Sequence, residues 1–239
     1  MVASMKLRRF WEKVSVEPSE NGYQILLDKH PVRLPQKTVL QVSSFNLAQH
    51  LAKEWEKAGG KKGGEFSYEA LPLTRIAGTM LERIGSRPEI IIDQLVPYVN
   101  GELLCYRADF PAHLVEKQKE EWSPWVSWCN DFLGVNLKIQ DGVIPINQSP
   151  ETIKAFRNYL EKCCSGELAA FAVAVPALGS IVLSIALKEN KLDAEKAFEI
   201  ATLDERVQAE TWGQDAEHQR HLNLLKQDVI DAALFLSLL

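Results

Sequence analysis

VLQVSSFNLAQHLAKEWEKAGGKKGG, residues 39–64, changes its hydrophobic period half-way along. Val39-Leu40-Gln41-Val42 is β-branched and apolar, a strand candidate. From Leu47 the apolar residues recur every fourth position, at Leu51 and Trp55, so the spacing predicts a helix over 44–58 with Ser43 or Ser44 as its cap. Gly59-Gly60-Lys61-Lys62-Gly63-Gly64 ends it and reads as a flexible linker.

Everything before this stretch reads as β. Val14 and Val16 alternate with Lys13, Ser15 and Glu17, as in a half-buried strand. Asn21-Gly22 supplies the positive φ values of a tight hairpin, and Tyr23–Leu27 is its second strand. Asp28-Lys29 turns into a third strand at His30–Leu34, which Pro31 and Pro35 mark as an edge.

Nearly everything after it reads as helix. The predicted helices run over 74–84, from Pro88 to Tyr98, over 114–133, from the cap signal Ser149-Pro150-Glu151, from Asp193, and from Glu217 with Leu222, Leu225, Val229 and Leu236 on its apolar stripe. Residues 135–147 look extended and are available to pair with the N-terminal sheet. The expected class is α+β: a β-rich domain over 1–70 followed by a mostly helical domain over 71–239.

Composition narrows the function. The 239 residues are 46% hydrophobic and 25% charged, with net charge −5, an ordinary globular balance that excludes intrinsic disorder. The only short basic clusters are Lys6/Arg8/Arg9 and Lys61/Lys62, so no nucleic-acid partner is expected. Four cysteines without a C-x-x-C pair fit a reducing compartment. The N-terminus has no apolar h-region, which leaves a bacterial cytoplasm, or a mitochondrial matrix if a targeting segment has been removed. Leu168–Leu187 carries no charge over a membrane-span length, but Pro176, Gly179, Ser180 and Ser184 interrupt it, and a buried helix broken near Pro176 is expected.

No catalytic pattern emerges. Gly59 and Gly64 have phosphate-loop spacing, but Glu65-Phe66 stands where Lys and Ser or Thr are needed. His218 and His221, with Asp215 and Glu217 nearby, lack the converging third and fourth ligands of a zinc site, so neither metal nor cofactor is expected. Gly179-Ser180 has no nucleophile-elbow frame. An enzyme would need a dispersed Cys/His site such as Cys105 with His113. The unusual features are six tryptophans, with Trp122, Trp125 and Trp128 fanning over one helix face, and the acidic stretch Asp204, Glu205, Gln208, Glu210, Trp212 and Asp215.

Taken in order, Arg9-Phe10-Trp11, Leu26-Leu27-Asp28 with Pro31 and Pro35, Glu54-Trp55, Leu71-Pro72-Leu73-Thr74-Arg75, Leu103-Leu104-Cys105-Tyr106-Arg107, then Gln118, Trp122, Pro124 and Trp128, and finally Leu203-Asp204-Glu205, Gln208 and Trp212-Gly213 form a series. From about residue 8 to the C-terminus it resembles the assembly chaperones of the soluble head of the F-type ATP synthase, a mitochondrial and alphaproteobacterial family that binds the alpha subunit. Ser123 departs from the acid that often follows the tryptophan in that family, and the 61–64 glycine content is unusual for it. The resemblance implies a non-enzymatic protein that shields the beta-facing surface of unassembled alpha subunit, with no small-molecule substrate. It also implies a small N-terminal α+β domain ahead of a helical one. It puts Trp55 in a role essential to integrity or function, and Glu205, with Asp204 and Glu210 as neighbours, in the acidic position that matters for activity. Gln208 and Trp212 are expected on the same partner-binding or structurally critical surface.

Overall fold

In the computed structural model, residues 6–85, 87–142, 144–145, 147–213 and 215–239 are described, with 210–212 followed as backbone only. The chain is a small β-containing N-terminal part followed by helices. It divides into two compact units. The first runs to Arg87 and takes in Ser165–Ala170 and Leu234–Leu239; the second holds Pro88–Cys164 and Phe171–Ala233. The division drawn from the sequence at 70/71 falls inside the first of these units.

In the first unit, β1 (Leu7–Arg8) is followed by the hairpin β2 (Val14–Ser19) and β3 (Gly22–Leu27), antiparallel with Ser19 opposite Gly22. The hairpin turn is therefore Glu20-Asn21, one residue earlier than the Asn-Gly signal implied. Gly22 has φ +126°, and a Cβ there would lie 2.3 Å from the Val42 carbonyl oxygen, so glycine is needed for strand approach as well as for its backbone angle. On its other edge β3 pairs with β4 (His30–Pro31) and β5 (Gln41–Val42). The third strand is shorter than expected and is continued by a bridge from Arg33 to Val39 and by backbone bonds from Val32 to Ile25 and from Leu40 to Val32.

Helix α1 (Phe45–Lys57) is where the period change put it. Ser44 accepts a hydrogen bond from the Leu47 N–H, and Leu47, Leu51 and Trp55 are buried. The 59–64 segment is not a linker. Arg9 is only 6% exposed, and its guanidinium donates to the carbonyls of Glu56, Ala58 and Gly60, satisfying backbone acceptors that the end of α1 leaves open. Arg9 N–H donates to Gly64, and Gly63 N–H returns to Arg9. The fold back is so tight that a Cβ on Gly64 would sit 1.8 Å from the Gly59 carbonyl oxygen. β6 (Glu65–Phe66) then pairs with β1, and α2 (Pro72–Gly78) continues into a π-wound stretch, Thr79–Ile84. The Glu54 carboxylate caps α2, accepting the N–H groups of Leu73 and Thr74 at 2.6 and 2.9 Å and the Thr74 hydroxyl at 2.8 Å. That cap ties α2 to α1 and explains why the unit extends beyond residue 70.

The second unit begins with α3 (Pro88–Leu95), which tightens into a 3₁₀ turn at Val96–Val99. Then follow β7 (Tyr106–Arg107), α4 (Ala112–Leu133), β8 (Gln140–Asp141) and α5 (Pro150–Leu160), the last capped by Ser149 as expected. β8 pairs in parallel with β7, Tyr106 opposite Gln140 and Arg107 opposite Asp141. Of the segment expected to be extended over 135–147, Gln140 and Asp141 thus pair inside the second unit rather than with the N-terminal sheet. Gly142 N–H also donates to the Arg107 carbonyl, which carries the pairing one residue further. Val143 and Ile146 lie outside the described residues.

The apolar run becomes two helices, α6 (Ser165–Leu178) and α7 (Ile181–Lys188). Pro176 sits within the last turn of α6, and the break comes at Gly179-Ser180 instead. Residues Ile181–Leu187 of α7 are all buried. Among the described residues no helix is long and apolar enough to cross a membrane. Three further helices complete the chain: α8 (Ala194–Ala201), capped by Asp193, α9 (Leu203–Trp212) and α10 (Ala216–Ser237). On α10 the deepest residues are Val229, Ala232 and Phe235, while Leu222, Leu225 and Leu236 are half-buried.

The start of α7 hangs on a buried acid that the sequence does not advertise. Glu102 is fully buried; its carboxylate accepts the Ser180 hydroxyl and the N–H groups of Leu104 and Val182 at 2.5, 3.2 and 3.1 Å. Burial pushes this carboxyl up to about 7 although Ser180, Val182, Leu104 and Ile181 all donate to it. The unfolded chain loses that proton near the ordinary glutamate value, so between roughly pH 4.5 and 7 the folded chain holds more proton than the unfolded one. Its contribution is therefore full at pH 4 and lost as pH rises through the folded value, by about 3 kcal/mol in all. Relative to Glu102→Gln, the wild-type urea midpoint should fall between pH 5 and pH 8. Parallel midpoints across that range would refute the assignment.

Candidate functional site

Helix α9 carries the acidic stretch, and a buried network fixes where it starts. On α4, Leu114, Gln118, Trp122 and Val126 recur every fourth residue, and all four are buried. Gln118 is the polar member of that apolar stripe. Its Oε1 accepts the Ala108 N–H at 2.8 Å and its Nε2 donates to Asp204 Oδ1 at 2.7 Å. Arg107, 8% exposed, donates from Nη1 to the Gln118 carbonyl and lies with its guanidinium carbon 5.2 Å from the Trp122 ring centroid. Trp122 Nε1 in turn donates to the Ile200 carbonyl at 2.9 Å, near the end of α8.

Among the described residues, Arg107 Nε and Nη2 have no hydrogen-bond partner. Burial draws this guanidinium down from its ordinary value, and Asp141 and Asp204 oppose that pull by favouring the charge. Asp204 therefore has two jobs. It accepts from Gln118, and it supplies a nearby negative charge to a buried cation. In the first turn of α9 it also meets the positive end of the helix dipole, as does Glu205.

The predicted partner-binding residues separate on this frame. Asp204 is half-buried and held. Glu205 is likewise half-buried and Gln208 exposed, and no described residue hydrogen-bonds to either side chain. Val207 packs inward on the same helix. The backbone of Glu210 and Trp212 is helical, but their side chains lie outside the described residues. Trp55 belongs to the first unit. It is 6% exposed, its Nε1 donates to Thr74 Oγ1 at 3.2 Å, and its ring meets Trp11 and Phe66 edge-on at 5.4 and 6.1 Å. Of the α4 tryptophans, Trp122 is core; Trp125 and Trp128 are half-buried and run on to Phe132, which is 42% exposed and stacked on Trp128 at 5.1 Å.

The alternative Cys/His site finds no support in its geometry. Cys105 is fully buried, and burial pushes its thiol up to about 12, so it is protonated at neutral pH. His113 is exposed at the start of α4. His218 and His221 are exposed on α10, and among the described residues no three metal-binding side chains converge.

In the sequence Arg107 and Gln118 stand only as members of the family-like series, and nothing marks Glu102 as buried. The available signal was positional: a glutamine standing on an every-fourth-residue apolar stripe must find partners in the interior.

The chain can be set beside known proteins. Residues 8–130 match the family described as "ATP12 chaperone protein". The protein atp12, mitochondrial, of Schizosaccharomyces pombe is 27% identical over 214 residues, covering 86% of this chain and 74% of that protein. The crystal structure of Atp12 from Paracoccus denitrificans superposes with a TM-score of 0.89 at 32% identity, covering 97% of each chain. An aspartate-to-lysine mutant of the same organism's Atp12p matches with the same TM-score, identity and coverage.

Proposed function

This chain belongs to the ATP12 chaperone family of ATP synthase assembly chaperones, and from that membership we propose that it binds the unassembled alpha subunit and shields its beta-facing surface until beta displaces it. The observation that carries the reading is the likeness to Atp12 over 97% of both chains, which includes α9 as well as the N-terminal sheet.

The physics needs no chemical step. An unpaired subunit of an obligate ring exposes a large apolar interface that self-associates. A protein that covers it lowers the free concentration of aggregation-prone subunit by mass action, and a better-fitting partner releases it. A protonated, buried Cys105 is consistent with a protein that works by binding alone. Glu205 and Gln208 on α9 form the client-facing surface, while Asp204 holds the helix in place; Glu210 and Trp212, further along the same helix, are proposed as additional partner contacts. The setting is a bacterial cytoplasm or a mitochondrial matrix.

Light scattering from isolated alpha subunit, without added ATP, tests this. Near-equimolar chaperone should suppress the signal and co-elute with alpha on a sizing column. Aggregation at the unassisted rate, with no complex, would overturn the proposal.

A further inference from the structure

The first unit carries a cleft of about 350 Å³ between the loop at 34–36 and one face of α2 with its π-wound extension. Leu34, Pro35 and Gly78 give it apolar walls. Some of its polar groups are already engaged. The Thr74 hydroxyl is shared between Glu54 and Trp55, the Thr79 hydroxyl donates to the Arg75 carbonyl at 3.2 Å, and the Glu82 carboxylate accepts the Gln36 N–H at 2.9 Å. Besides the Gln36 amide, three donors are left. The Tyr68 hydroxyl and the guanidinium groups of Arg75 and Arg83 line the cleft, and no described residue accepts from any of them. Both arginines are exposed, whereas Tyr68 is half-buried.

Two further facts mark the place. The segment Thr79–Ile84 that presents Glu82 and Arg83 is wound as a π-helix and closes with Gly85 N–H donating to the Met80 carbonyl at 3.0 Å. That winding is rare and is over-represented at functional sites. The surrounding chain is acidic, at net charge −5, so two arginines with no acid of their own form a local exception. Burial and the Glu82 charge raise the Tyr68 phenol, which keeps it a donor at neutral pH.

We propose that this cleft holds a short acidic–apolar segment of the alpha subunit, with the apolar side chain against Leu34, Pro35 and Gly78 and one carboxylate between Arg75, Arg83 and the Tyr68 hydroxyl. Charge complementarity argues for it: two guanidinium groups lining one cleft favour a carboxylate, and Glu82, which lines it too, disfavours a second one. The inference rests on the chaperone reading above and adds a second client contact to it, on the N-terminal unit.

The test measures the affinity of the full-length chain for purified alpha subunit by biolayer interferometry, with melting temperature as the control for folding. Arg75→Gln/Arg83→Gln should weaken binding about tenfold or more at low salt, with the difference shrinking at high salt. Tyr68→Phe should weaken it about threefold. Because no described residue pairs with either guanidinium group, melting should be unchanged. If the wild type binds alpha and the double variant binds it equally well, the cleft proposal alone is overturned. If the wild type binds no alpha, the chaperone reading fails and takes the cleft with it. If the double variant instead converts a dimer into a monomer, the occupant is a second copy of this chain and the proposal is wrong.

Discussion

Trp55→Arg should leave little folded protein. The indole is buried between Trp11 and Phe66, whose own ring centroids are 5.7 Å apart, so three rings interlock edge to face. Its N–H satisfies Thr74, and the Trp55 carbonyl accepts the Trp11 N–H at 3.3 Å. Removing such a side chain costs about 3–5 kcal/mol from lost packing alone. The replacement adds an unpaired guanidinium to an apolar site, a further penalty of several kcal/mol. Adjacent Glu54 offers no ready counter-ion, because its carboxylate already caps α2 through Leu73 and Thr74. The sum is comparable to the whole stability of a typical domain, about 5–15 kcal/mol. Expression should shift to the insoluble fraction, and any soluble protein should lack a cooperative near-UV circular dichroism transition. Trp55→Phe keeps a ring in the cluster and loses the Thr74 bond, so it should still fold, with a lowered melting temperature. A Trp55→Arg protein that melts like the wild type would remove Trp55 from the core.

That cluster also shows what the sequence makes legible. A tryptophan on a four-residue stripe must be interior, and the change of period at residue 44 dictates a helix laid against strands. The helix caps at Ser44, Ser149 and Asp193 follow from local chemistry and stand where they were expected. Long-range charge placement was not legible. Arg9 read as part of a basic surface cluster, and residues 59–64 read as a linker; each explains the other once the guanidinium is seen to collect the carbonyls of that turn. Arg107 and Glu102 escaped for the same reason. Charged residues are assigned to solvent by default, and only tertiary partners distant in sequence, such as Gln118 and Ser180, keep them inside. The break follows Pro176 by three residues, at Gly179-Ser180, because Gly179 takes the left-handed backbone that ends α6 and the Ser180 hydroxyl caps α7 by accepting the Leu183 N–H.

On α9 the same blindness to partners matters for function, since sequence spacing put Asp204 and Glu205 on nearly one footing. Their surroundings separate them. Asp204→Ala removes the acceptor of Gln118 Nε2 and the negative charge beside a buried Arg107, so it should cost about 1–3 kcal/mol of stability and loosen the start of the helix. Client affinity should fall with it, and Asp204→Asn, which keeps an acceptor for Gln118, should recover part of the stability. Glu205→Ala breaks no hydrogen bond among the described residues, so stability should stay within about 0.5 kcal/mol of wild type. If Glu205 meets the client, affinity for alpha subunit should nevertheless drop about tenfold, which corresponds to about 1.4 kcal/mol. The pair of measurements therefore distinguishes a residue that positions α9 from one that touches the partner. Equal binding by Glu205→Ala and wild type, alongside a loss in Asp204→Ala, would mean that the acidic turn acts only by holding the helix to α4 and that the contact surface must be sought among the exposed residues further along it, beginning with Gln208.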